Sequence, residues 1–214
     1  MTTFFIITND GEGVLSLMQT SFGIGTNFSQ AVESGNWAQD MDRYIWTIVA
    51  FESISAEVEG DSCFEMLTNA IKYRDIGENV TIKLPLTVEG LKACKELTAQ
   101  GVETNVTLCF SAAQAVMAAK AGATYISPFV GRMNDNSLSG VELVRAISGL
   151  YCAHGVRTKI LAASLRDVHH VSRCFLYGAS VCTLPPAVFD KMYNHVLTDS
   201  GLAIFEKDFK EING

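Results

Sequence analysis

Residues 80–87 read VTIKLPLT. A single lysine, Lys83, stands in a run that is otherwise apolar or β-branched. Pro85 closes the run, and a helix-patterned stretch over 87–100 follows. A segment apolar on both faces suits a parallel strand covered by helices on its outer side. The same rhythm repeats outward in both directions. Short β-rich runs stand at 4–8, 22–26, 53–58, 80–84, 103–108, 124–127, 158–162 and 180–184, and helical spacing or composition marks 87–100, 111–120 and 140–154. Strand–helix alternation repeated this often predicts a parallel sheet. Eight units in 214 residues predict an α/β protein, a single (β/α)8 TIM barrel at the small end of that fold. A doubly wound open sheet is the competitor, but it uses fewer strands, and no GxGxxG follows the first run. Thr87 and Ser111 are placed to cap helices.

The length allows one sizeable core and is short for two. Hydrophobic residues make up 48% of the chain and charged residues 18%, and with only four prolines there is no Pro/Gly/Ser-rich linker. Residues 1–214 are therefore expected to form one barrel domain. Residues 197–212 add a C-terminal helix, in which Leu202, Phe205, Phe209 and Ile212 form one apolar stripe. That stripe can cover the barrel's own base or dock on a neighbouring subunit.

The formal net charge of −7 argues against nucleic acid, which calls for a basic face. No apolar stretch approaches the ~20 residues of a membrane helix. The beginning MTTFFIITNDGEG lacks a basic flank and a long apolar run, and so does not read as a signal peptide. Six cysteines without a CxxC pair fit free thiols in a reducing cytoplasm. His154, His169 and His170 lie on or beside helices without metal-type carboxylate spacing, and are read as solvated or structural. No metal and no cofactor is expected.

Lys83 is the residue with chemistry to explain. A cation inside an apolar strand is costly unless its charge is paired or lost. Desolvation favours the neutral form of an amine, and a neutral amine can attack a ketone to form an imine. In a barrel, a residue at the carboxyl end of a strand is where substrate arrives.

VTIKLPLTVEGLKACKEL (80–97) resembles the lysine strand of the transaldolase and fructose-6-phosphate aldolase family. NVTLCFSAAQA (105–115) is similar to that family's fifth strand and the helix start beyond it. AGATYISPFVGR (121–132) is similar to the sixth strand, ILAASLR (160–166) to the seventh and ISAEV (54–58) to the third, while GTNFS (25–29) approximates the second. The motifs occur in the family's order over nearly the whole chain. By this resemblance Lys83 forms the Schiff base with a dihydroxyacetone unit, and Glu57 and Thr107 hold a water that shuttles protons. Asn27, Asn105 and Ser127 bind sugar hydroxyls. Arg132, Ser164 and Arg166 bind phosphate, for which guanidinium forks are well suited. Glu57 and Arg166 stand where the aldolase branch carries glutamine and lysine, and so favour a transaldolase.

The sequence departs from the family pattern in three places. An aspartate is expected at the end of the first strand, but FFIITND places Ile7 there. Phe129 replaces the sixth-strand tyrosine of the aldolase branch, and Phe28 replaces a proline. Asp10, three residues after Ile7, is the candidate surrogate acid and base. The resemblance thus implies a cytoplasmic transferase that moves a dihydroxyacetone unit between sugar phosphates, assembled as a homo-oligomer (a pentamer or decamer), without nucleic-acid or membrane partners. The alternatives are a fructose-6-phosphate aldolase-like lyase, or a weakly active sugar-phosphate-binding homologue.

Overall fold

The computed structural model describes residues 5–8, 23–26 and 53–213. Strands β1 (Phe5–Thr8), β2 (Gly23–Thr26) and β3 (Ile54–Glu57) come first. Then follow α1 (Cys63–Arg74), β4 (Val80–Pro85), α2 (Val88–Ala99), β5 (Thr104–Cys109), α3 (Ala112–Lys120), β6 (Tyr125–Pro128), α4 (Val130–Asp135), α5 (Gly140–Ala153), β7 (Lys159–Ala162), α6 (Val168–Leu176), β8 (Val181–Leu184), α7 (Pro186–Lys191) and α8 (Val196–Asn213). Each run expected as a strand is a strand, within two residues at either end. Neighbouring strands pair parallel in the order β2-β1-β8-β7-β6-β5-β4-β3. From β3 to β8 they form a curled array with helices outside, an α/β arrangement of the TIM-barrel kind. Among the described residues no ladder joins β3 to β2.

The helices begin where the sequence supplies acceptors for their first free N–H groups. Thr87 caps α2 and Ser111 caps α3, each accepting a backbone N–H three residues on, from Gly90 and Gln114. Ser62 and Ser139 do the same for α1 and α5, and Asp167 caps α6 by accepting from the His169 N–H, two residues on. Each cap is worth about 1 kcal/mol. At Ser62 the Glu65 side chain reaches back to complete a capping box.

Alternation along the strands separates two environments. Ile82, Leu84, Val106, Ile126, Ile160, Ala162, Cys182 and Leu184 join the main core with the helices. Burial of a side chain such as Ile82 or Leu84, both 0% exposed, contributes ~1.5–3 kcal/mol. The intervening positions face the inside of the curl. Tyr125, Leu161, Ala163 and Val181 form a small second cluster there, with Phe129 against it. Polar residues at inward positions include Thr81, Lys83, Asn105, Thr107 and Ser127. Lys83 is therefore inside the curl because Ile82 and Leu84 claim the outside.

Helix α8 carries the stripe expected from spacing, and Leu202, Phe205, Phe209 and Ile212 on it are all exposed. No helix among the described residues is long and apolar enough to cross a membrane. Trp37 and Trp46 lie outside the described residues.

Four thiols are buried: Cys94, Cys109, Cys174 and Cys182. Burial pushes Cys109 from the ordinary 9.0 up to about 11 and Cys174 up to about 12. The unfolded chain therefore releases these protons first as pH rises, and the folded state loses ground. Stability measured by urea unfolding is expected to be unaffected by these thiols below about pH 9. It then declines toward pH 11–12, each thiol removing about 1.4 kcal/mol for every pH step of one that separates its unfolded and folded values. Replacing Cys109 and Cys174 by alanine should flatten the decline. An identical alkaline slope in the double variant contradicts the assignment.

Candidate active site

A cavity of about 330 Å³ opens at the carboxyl ends of the strands, lined by Ser55, Glu57, Lys83, Asn105, Thr107, Leu108, Ser127, Phe129, Arg132, Leu161, Ala163, Ser164 and Thr183. This is the end where barrel enzymes bind substrate. The ladder registers explain why its polar members meet. Glu57 is opposite Lys83, and Lys83 is opposite Asn105. Parallel partners share a face, so three neighbouring strands deliver a carboxylate, an amine and an amide to one level. Lys83 Nζ donates to Glu57 Oε2 at 2.9 Å. The lysine side chain is 14% exposed and the glutamate 43%. The amine is thus largely out of water, and its counter-ion is the more exposed of the two.

Thr107 is 1% exposed, and its hydroxyl is the buried side-chain oxygen among the described residues without a hydrogen-bond partner. A buried hydroxyl normally has a partner, so this one is available to a group entering the cavity. The backbone beside it is irregular. The β5–β6 register shifts between Val106 and Cys109, and Leu108 has φ 63°. A bulky residue in the left-handed region is strained, and bulges of this kind re-aim side chains next to sites. Asn105 is held on two sides. Its Nδ2 donates to Ser55 Oγ at 3.1 Å and its Oδ1 accepts from Ser127 Oγ at 2.6 Å. One amide hydrogen of Asn105 is left over.

A cationic rim follows β6 and β7. Arg132, on α4, lies over the Phe129 ring at 4.8 Å and lines the cavity, as does Ser164, with φ 61°. Gly131 lets these segments approach, because an ideal Cβ there would stand 2.0 Å from the Ser164 carbonyl oxygen. Arg166 is close by but is not part of the cavity wall. Its Nη1 donates to Asp135 Oδ1 at 2.6 Å.

Seven residues singled out in the sequence therefore share one cavity: Lys83, Glu57, Thr107, Asn105, Ser127, Arg132 and Ser164. Arg166 borders the same loop. Asn27 and Asp10 lie outside the described residues. The backbone of Ile7 is in register with Gly25 and with Thr183, a wall residue of the cavity. Sequence reasoning missed Ser55, Leu108, Leu161, Ala163 and Thr183. Ser55 was within reach, since it is two residues before Glu57 and so on the same strand face. Cys109 faces the main core rather than the cavity, its Sγ donating to Ser111 O at 3.4 Å. His154 is the C-cap of α5, and His170 Nε2 is 3.5 Å from Asn134 Nδ2.

Residues 26–213 match the family model described as Transaldolase/Fructose-6-phosphate aldolase. A protein of Dinoroseobacter shibae named "Probable transaldolase" is 45% identical over 210 residues, covering 97% of this chain and 96% of the relative. A protein of the same name from Bartonella henselae is 43% identical with the same coverage. One from Sinorhizobium medicae is 44% identical over 208 residues, covering 96% of this chain and 95% of the relative. The chain belongs to the transaldolase/fructose-6-phosphate aldolase family.

Proposed function

We propose that this protein is a transaldolase-type transferase that carries a dihydroxyacetone unit from a ketose phosphate to an aldose phosphate as a Schiff base on Lys83. The observation that carries the reading is the Lys83 amine, largely out of water, 2.9 Å from Glu57 in a cavity shared with the unpartnered Thr107 hydroxyl.

The amine must lose a proton before it attacks, and Glu57 is in contact to take it. The free Nζ electron pair adds to C2 of the ketose, and the carbonyl oxygen is protonated to give the carbinolamine. Glu57 and Thr107, bridged by a water, return a proton to that oxygen, which leaves as water while the C=N bond forms. The iminium then draws in the electron pair of the C3–C4 bond as a base removes the C4 hydroxyl proton. The aldose phosphate departs and an enamine remains on Lys83. Attack of the enamine C3 on an acceptor aldehyde, followed by hydrolysis, completes the transfer. Asn105, fixed by Ser55 and Ser127, and Asn27 bind the hydroxyls of the three-carbon unit. Arg132, Ser164 and Arg166 bind the phosphate. The base for C3–C4 cleavage is the family's first-strand aspartate, replaced here by Ile7, with Asp10 as its surrogate.

The same reading closes the eight strands into one barrel spanning residues 1–214 and seats α8 on a neighbouring subunit of a cytoplasmic homo-oligomer. The exposed stripe from Leu202 to Ile212 supports that seat. Glu57, Phe129 and Arg166 favour transfer over release of free dihydroxyacetone, so turnover should require an aldehyde-phosphate acceptor. A second reading, a sugar-phosphate binder with slow turnover, is favoured by Ile7 and by the absence of a hydroxyl on Phe129. Both readings are tested by sodium borohydride reduction in the presence of fructose 6-phosphate. A stable adduct on Lys83, located by peptide mass spectrometry, is expected. If no adduct forms, the Schiff-base reading is wrong in either version.

A further inference from the structure

Of the three groups assigned to phosphate, Arg166 alone is outside the cavity wall, and it is the one with a carboxylate on it. Asp135 is the last residue of α4, one helical turn beyond Arg132 and so on the same side of the helix. Its Oδ1 accepts from Arg166 Nη1 at 2.6 Å. The opposite corner of that guanidinium faces elsewhere. An ideal Cβ on Gly131 would lie 3.2 Å from Arg166 Nε and 3.0 Å from Ser164 Oγ. Nε and the Ser164 hydroxyl therefore converge on one point above Gly131, and Ser164 lines the cavity. A guanidinium has five N–H donors in a rigid planar fork. With one Nη1 hydrogen taken by Asp135, four N–H donors remain, among them Nε–H on the side of Ser164.

The residues on either side of Asp135 are held. Asn134 Oδ1 accepts from Gly140 N–H at 3.0 Å, and Asn136 Nδ2 donates to Arg132 O at 2.8 Å. The end of α4 is thereby tied to α5 and to its own preceding turn. The Arg166 side chain is 56% exposed, so without an anchor its long stem would sample many rotamers in solvent.

We infer that Asp135 is a positioning residue for phosphate recognition, turning the Nε edge of Arg166 toward Ser164 and the cavity. This rests on the assignment of Arg166 to phosphate in the proposed function. The opposite effect, a carboxylate that simply repels the incoming dianion, predicts the opposite sign and is therefore distinguishable.

The test compares Asp135→Asn, Asp135→Ala, Asp135→Glu, Arg166→Ala and Asp135→Ala/Arg166→Ala in the protein as purified. The readouts are KM for fructose 6-phosphate, kcat and the inhibition constant of inorganic phosphate. Removing the Asp135 carboxylate is expected to raise KM and the inhibition constant about tenfold, with kcat changed less than about twofold. Asp135→Glu should recover part of the loss. In the Arg166→Ala background, Asp135→Ala should add nothing, because the two act through one contact. If Arg166→Ala weakens phosphate binding while the Asp135 variants bind it equally well or more tightly, the inference fails and the phosphate assignment stands. If Arg166→Ala leaves phosphate binding unchanged, the assignment of that arginine fails and the inference falls with it.

Discussion

Replacing Lys83 by methionine is expected to reduce transfer by on the order of 10⁴-fold or more and to abolish borohydride-trapped adduct. The loss is that of the atom to which substrate is joined, so nothing else in the cavity compensates. Methionine has comparable length and fills the same space in the cavity wall without an amine. Glu57 loses its ion-pair partner but is 43% exposed, so water can solvate it and the cost in stability is small. The melting temperature should therefore stay within a few degrees, and inorganic phosphate should still bind at the rim formed by Arg132 and Ser164. Steady-state kinetics, thermal unfolding and phosphate inhibition on one preparation separate a chemical defect from a folding defect. Activity within tenfold of the native protein would refute covalent catalysis by this residue.

Introducing aspartate at residue 7 is expected to work in the opposite direction. The backbone of Ile7 is in register with Thr183, at the level of the cavity wall. A carboxylate at that level supplies the base for the C4 hydroxyl. General acid–base assistance is worth ~10²–10⁴-fold, so Ile7→Asp should raise kcat by at least about a hundredfold if the protein is the slow-turnover binder, and little if Asp10 already serves as the base. The yield of adduct from unphosphorylated dihydroxyacetone should stay constant, because imine formation uses Glu57 and Thr107 instead. Ile7→Asn, similar in shape and unable to take a proton, should not reproduce the gain. The outcome also discriminates the two readings of function. If the native protein already turns over at ~10 s⁻¹, typical of enzymes, and Ile7→Asp adds nothing, then another residue, Asp10 first among them, performs the proton transfer.

The strands from β3 to β8 were legible because each alternates between a helix-covered face and an inward face, and both faces leave a mark on residue choice. The run around Lys83 is the best instance: Ile82 and Leu84 announce the core, and the lysine between them announces the cavity. The caps at Thr87 and Ser111 were equally plain, since capping involves only a side chain and the next helical turn. What was not legible involves pairs of distant segments or backbone geometry. Arg166 and Asp135 are thirty-one positions apart, and no periodicity links them. The positive φ at Leu108 has no compositional trace, because leucine is a poor residue for that conformation. The bulge therefore appeared only in the backbone, beside the unpartnered hydroxyl of the cavity residue Thr107. Ser55 belongs to a third kind: strand parity with Glu57 would have placed it on the inward face, but its use became visible only through its bond to Asn105.

The division between the two sides of the strands has a practical consequence. Folding free energy is concentrated in residues that point at the helices, whereas recognition of the substrate is written in those that point at the axis. Laboratory selection for a new donor or acceptor can therefore randomise the half-buried polar axial positions, for instance Ser55 and Thr183, while drawing little on thermal robustness. Libraries aimed at the outward set should instead yield mostly aggregates, whatever activity is sought.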